Sequence, residues 1–313
     1  EYPPNASDSF VGDLLATILE EVAQEVKNLG GTGAYALFKH TTAPFSGGSD
    51  HYILSDPSVN IPCPMLIQWP DKYYHTSEDT IDKVDPEMLY RVALITATYA
   101  YYLANLDNQQ AMLILSTGAK SYTQRLQALL NRSLAAISQE IAPTSSEETR
   151  SAVDFLLERQ CSQLLSLRRF VNGEAFESEL TATLQHIHST TEREWARFKS
   201  LTKHLGDQPQ QQDAVPIVPG EELIPRRVFP GPLSMRGHVE KLAPADQAQY
   251  ESLAHRHGAP AMRTCTDACY WVDGHRTIGE ISRLVQHSVG FSNTAFLVEY
   301  LQLLAKMELV VFA

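Results

Sequence analysis

Cysteine is scarce in this chain, with four residues in 313, at positions 63, 161, 265 and 269. They are too few and too scattered to form a disulfide framework. Basic residues are outnumbered, 25 Lys and Arg against 37 Asp and Glu, giving a net charge of −12. Phosphate binding needs a basic face, so the charge argues against nucleic acid as the main partner. No apolar run approaches the roughly 18 residues that suggest a membrane span, and no membrane partner is implied. The opening Glu1-Tyr2-Pro3-Pro4 is not a signal-peptide pattern. A GxSxG elbow is missing too, so Asp50-His51 has no nucleophile to serve in a Ser/His/Asp hydrolase. Cys265 and Cys269 are spaced CxxxC, with His255 and His257 nearby. Structural zinc sites show tighter CxxC pairs, so this pattern reads as buried thiols.

What the chain does have is a sequence of distinct regions. Its length suits two domains or more, and 43% hydrophobic residues is ordinary for a globular protein. Residues 11–29 carry Val11, Leu14, Leu15, Ile18, Val22 and Val26 at helical spacing, with Ser9 as a cap and Gly30-Gly31 as a stop. Residues 34–40 and 63–69 read as strands. Asp85-Pro86 opens a helix to about Asn105, with proline in its first turn. Helices alternating with apolar strands predict an α/β layer over residues 1–107. Strand signals then vanish, and 108–205 reads as an all-α bundle or arm of three helices, 108–141, 145–171 and 174–205. Its seams are Leu126, Leu129, Leu130, Leu134 and Ile137; then Val153, Leu156, Leu157, Leu164 and Leu167; then Leu180, Leu184, Ile187, Trp195 and Phe198.

Residues 206–221 are rich in Gln, Pro and Asp and read as a linker. Residues 222–313 predict a winged-helix-like α+β domain, with helices at 244–257, 277–288 and 293–306 and a closing strand at 309–312. The last helix offers only Lys306 as a cation, against Glu299, which is poor equipment for a DNA-recognition helix.

The richest stretch runs from Pro44 to Val84. A glycine loop, Ser46-Gly47-Gly48-Ser49-Asp50-His51, can bring backbone N–H groups close to a ligand. The apolar segment Met65-Leu66-Ile67-Gln68-Trp69 leads into Tyr73-Tyr74-His75-Thr76-Ser77-Glu78-Asp79-Thr80. Binding groups collect on such turns at strand ends. His75 is a candidate metal ligand, with Asp79 or Glu78 as its orienting acceptor. The Tyr74 phenol is a candidate donor to a developing oxyanion.

Taken together, Gly47-Gly48-Ser49-Asp50-His51, the apolar segment, the Tyr74-His75 turn and Asp82-Lys83-Val84-Asp85 before a helix resemble one family. That family is the co-catalytic zinc aminopeptidases, which include bacterial leucyl aminopeptidase, glutamate carboxypeptidase and the glutaminyl cyclases. The resemblance is specific over 44–85 and extends over 10–105. The order of elements after 108 is similar to that of longer bacterial members. It implies the C-terminal portion of a zinc-exopeptidase α/β/α sandwich in residues 1–107. It implies that His75 is the last ligand of a two-zinc site, that Tyr74 contacts the tetrahedral intermediate, and that Gly47, Gly48, Ser49, Asp50 and His51 line the substrate side. The substrate would be a peptide, cleaved at its N-terminal bond. The family also uses a His-x-Asp, a Glu-Glu pair and a further Asp, all earlier in the chain. No His-x-Asp precedes residue 44 here, and Glu20-Glu21 sits within the first amphipathic helix. The sequence therefore reads as the C-terminal part of a longer member, inactive in isolation and unable to hold zinc tightly. Two other readings have sequence features in their favour: an assembly module, homo-oligomeric through the helical segment, and a DNA-binding regulator acting through 222–313.

Overall fold

The computed structural model describes residues 1–25, 38–139, 146–204, 217–235 and 237–313. These are mostly helical and fall into two compact units. The first contains residues 1–3, 8–43 and 63–205; the second contains 4–7, 44–62 and 206–313.

In the first unit, α1 (Val11–Glu25) starts where the Ser9 hydroxyl accepts from Val11 N at 3.3 Å. In the second unit, α2 (His51–Leu54) is a single turn following the glycine loop. Returning to the first, α3 (Pro86–Ala104) is capped by Asp85, whose Oδ1 accepts from Glu87 N at 2.9 Å and Met88 N at 3.3 Å. Proline at the first turn loses nothing, because its missing N–H would be unpaired there anyway. The long helices follow: α4 (Asn108–Gln139), α5 (Ser146–Leu165) and α6 (Glu174–His204).

The apolar seams do what their spacing predicts. Leu126, Leu130, Val153, Leu164, Leu167, Leu180, Ile187, Trp195 and Phe198 are buried in one core, joined by Phe10, by Leu14 and Ile18 of α1 and by Ile95 of α3. Leu129, Leu134, Ile137, Leu156, Leu157 and Leu184 pack against it, half-buried. Gly118 lets α4 approach α5 closely: a Cβ there would lie 2.8 Å from Leu164 Cδ2. A polar network crosses the same core. Arg125 reaches Asp13 through two bonds of 3.1 and 2.9 Å and also contacts Gln160, while Arg159 reaches Asp8 at 2.7 Å. These forks fix the register of α1, because a largely buried carboxylate must keep its partner.

The α/β layer expected over residues 1–107 is not shown by the described residues. Cys63–Trp69 forms no strand; its one ladder-like feature is a reciprocal pair, Glu1 N to Met65 O at 2.7 Å and Met65 N to Glu1 O at 3.0 Å. A strand exists only by pairing, and among the described residues this apolar run has no neighbouring strand. Of the expected strand at 34–40, residues 34–37 lie outside the described residues, as do residues 26–29 of the first helix.

The second unit holds α7 (Pro244–Met262), α8 (Cys265–Trp271), α9 (Ile278–Val289) and α10 (Thr294–Lys306). They lie in sequence between β1 (Pro225–Arg227) and β2 (Val310–Phe312), which pair antiparallel with Arg226 opposite Val311. The described residues of 222–313 thus carry four α-helices and a two-stranded ribbon where three helices and one strand are predicted. Helix α7 kinks at Gly258, whose φ of +83° a side chain would resist. Helix α9 begins with a capping box: Thr277 Oγ1 accepts from Glu280 N, and Glu280 accepts from Thr277 N at 2.8 Å. Lys306, the cation of α10, is paired with Asp246 at 2.5 Å. Residues 205–216, most of the expected linker, lie outside the described residues.

Candidate functional site

The Tyr74-His75 turn belongs to the first unit and the Gly47–His51 loop to the second. The turn is built by local hydrogen bonds. Asp71 Oδ1 accepts from Tyr73 N at 2.8 Å, and the Tyr73 carbonyl accepts from Thr76 N at 3.0 Å and Thr76 Oγ1 at 2.7 Å. Thr76 in turn accepts from Glu78 N at 3.3 Å. These bonds hold His75 in the left-handed region, with φ of +59°. A non-glycine residue there carries a conformational cost, and such residues concentrate at functional sites.

The consequence is geometric. The His75 ring stacks on Tyr74 at 3.8 Å between centroids and 21° between planes, and Tyr74 meets the edge of Trp69 at 5.8 Å. Both side chains are exposed, Tyr74 by 49%. Among the described residues no hydrogen bond joins the imidazole to Asp79 or Glu78, the acceptors expected to orient it. Lys83 and then Thr80 hold the neighbouring Asp82 carboxyl below its ordinary range. In the same unit several large apolar side chains are exposed: Ile67 at 56%, Trp69 at 66%, Ile81 at 87%, Leu89 at 60% and Tyr101 at 67%.

The glycine loop needs its glycines, because Gly47 and Gly48 both take positive φ, +74° and +89°. A Cβ at Gly48 would meet nothing within 4 Å, so this backbone is open to approach. Ser49 O and Asp50 O then accept from Tyr52 N and Ile53 N, each at 3.0 Å, starting α2. Asp50 occupies the N-cap without a side-chain cap bond. Ser49 and Asp50 are exposed, whereas His51 is only 5% exposed and packs its ring edge against Phe45 at 5.5 Å.

Behind the loop lies a set of residues to which no local spacing points. Asp56 is fully buried and accepts two bonds from Arg227 Nη2, at 3.2 and 3.1 Å. It also accepts from Ser58 N and Ser58 Oγ, at 2.9 and 2.6 Å. The guanidinium lies 4.5 Å over the Phe229 ring and donates to Gly231 O. Tyr270 donates to Tyr52 O at 2.6 Å and packs its ring on Phe45 at 5.6 Å. Segment 44–62 is thereby clamped within the second unit. Asp56 lies in Ser55-Asp56-Pro57-Ser58 and Arg227 in Pro225-Arg226-Arg227-Val228, and neither stretch carries partner information.

Residues 3–100, under a third of the chain, match the family model of Peptidase family M28. Peptidases of this family are generally zinc-dependent. No curated protein and no solved structure matches the chain. The matched span includes both the glycine loop and the Tyr74-His75 turn. The zinc expectation meets a chemical limit: among the described residues, no group of three or more His, Cys, Asp or Glu side chains could hold a metal ion. His75 is a suitable nitrogen donor, but one imidazole does not make a catalytic zinc site, which takes three protein ligands. The residues described here do not by themselves fit the metal.

Proposed function

We propose that residues 1–107 are one portion of the catalytic domain of a zinc exopeptidase that removes N-terminal residues from peptides. The observation carrying this reading is the family match over 3–100, which contains the strained, exposed Tyr74-His75 turn. In this reading His75 supplies one nitrogen to a metal whose other ligands come from a further part of the catalytic domain. Tyr74 presents its phenol to the substrate.

The test uses the product of the complete gene. It should release N-terminal residues from peptides in a zinc-dependent manner. The substitution H75A should abolish hydrolysis and remove bound zinc, while Y74F should lower kcat by about 10²-fold or more, as loss of an oxyanion donor does. A gene product that lacks zinc-dependent peptidase activity, or an H75A variant that keeps full activity, overturns the reading.

A further inference from the structure

The chain has ten sulfur-bearing side chains, four Cys plus six Met. Four of them line one cavity of about 240 Å³ in the second unit: Met235, Met262, Cys265 and Cys269. Cys265 and Cys269 are four residues apart on α8, so their thiols share one face. Tyr300 from α10 lines the same cavity wall as both cysteines. The two thiols form no disulfide.

The wall is equally informative for what it omits. Among the described residues no carboxylate, imidazole or ammonium group lines the cavity; the remainder is Tyr, Leu and Thr. His257, which the sequence sets near the CxxxC pair, is held elsewhere, by Glu299 Oε1 at 3.0 Å. Hard cations need oxygen ligands that this wall does not supply. Zinc prefers a tetrahedron of thiolate, imidazole or carboxylate, and only two such donors are present. Thiolates and thioethers together select soft ions.

We propose that this cavity binds a soft monovalent metal ion of the copper(I) class, held by Cys265 and Cys269, with the thioethers of Met235 and Met262 completing the shell. A thiol without a metal is protonated at neutral pH. Binding forms two thiolate–metal bonds and releases two protons to solvent, and apparent affinity climbs with pH.

The experiment titrates the reduced full chain with copper(I) under anaerobic conditions, against a competing chelator. One tightly held ion is expected, retained in C63S/C161S and lost in C265S/C269S. The pair M235L/M262L conserves side-chain volume and should weaken binding at least about tenfold, the lower end of what losing even an outer partner costs. These methionine variants decide the matter if C265S/C269S fails to fold. The proposal is overturned if wild-type chain holds no ion, or if C265S/C269S folds and keeps it. It is equally overturned if C63S/C161S loses the ion, if M235L/M262L binds like wild type, or if zinc competes on equal terms with copper(I).

Discussion

Replacing Arg227 with alanine should destabilise the second unit more than any surface substitution. Asp56 has no exposure, and its carboxylate takes two bonds from the guanidinium and two from Ser58. Removing one member of a buried pair typically costs about 3–5 kcal/mol, because the remaining charge is stranded away from water. The Ser58 bonds keep part of the carboxylate satisfied and pull the value to the lower end. Loss of the Phe229 ring contact adds about 0.5–1 kcal/mol. We therefore expect about 3–4 kcal/mol for R227A. R227K should fall between, since ammonium keeps the charge without the fork. The assay is urea denaturation followed by fluorescence of Trp271, which is 3% exposed in the same unit, with Trp69 and Trp195 replaced by Phe. Adding D56N removes the stranded charge, so R227A/D56N should be more stable than the sum of the single losses by about 1–3 kcal/mol. A loss below about 1 kcal/mol for R227A, or strict additivity in the double variant, refutes the reasoning.

Three further outcomes follow from the same geometry. Tyr122 is fully buried and bonds to Thr191, whose own hydroxyl donates to Ile187 O; Y122F should cost about 1 kcal/mol and Y122A about 3–5 kcal/mol by chemical denaturation. T277A removes the capping box of α9 and should cost about 1 kcal/mol, with E280A costing less, read from the same melts. Burial works against ionised Glu299, yet hydrogen bonds and charge from Arg256 and His257 hold its carboxyl below the ordinary glutamate range. A depressed carboxyl stabilises the fold above its unfolded value and loses that contribution as pH falls through the folded one. Thermal melts of the wild type from pH 6 down to pH 3 (about the carboxylate range) should therefore fall more steeply than those of E299Q, and parallel curves would sink the assignment.

The chain's own periodicity settled the helices of the first unit and the side chains they bury, since a 3.6-residue repeat specifies a face without knowing its partner. It settled the ends of several too, because caps such as Asp85-Pro86 act within one turn. The Tyr74-His75 turn was legible for the same reason: its hydrogen bonds span two or three residues. Tertiary structure alone decided the rest. Whether Cys63–Trp69 becomes a strand depends on neighbours, and the described residues offer it one pair of bonds to Glu1. That segment 44–62 joins residues 206–313 depends on Asp56 meeting Arg227, 171 positions away. The grouping of Met235 and Met262 with Cys265 and Cys269 depends on how α7, α8 and α10 pack. Local spacing fixes which way a side chain faces along its own element; what it faces is set by contacts between elements, and those leave no period in the sequence.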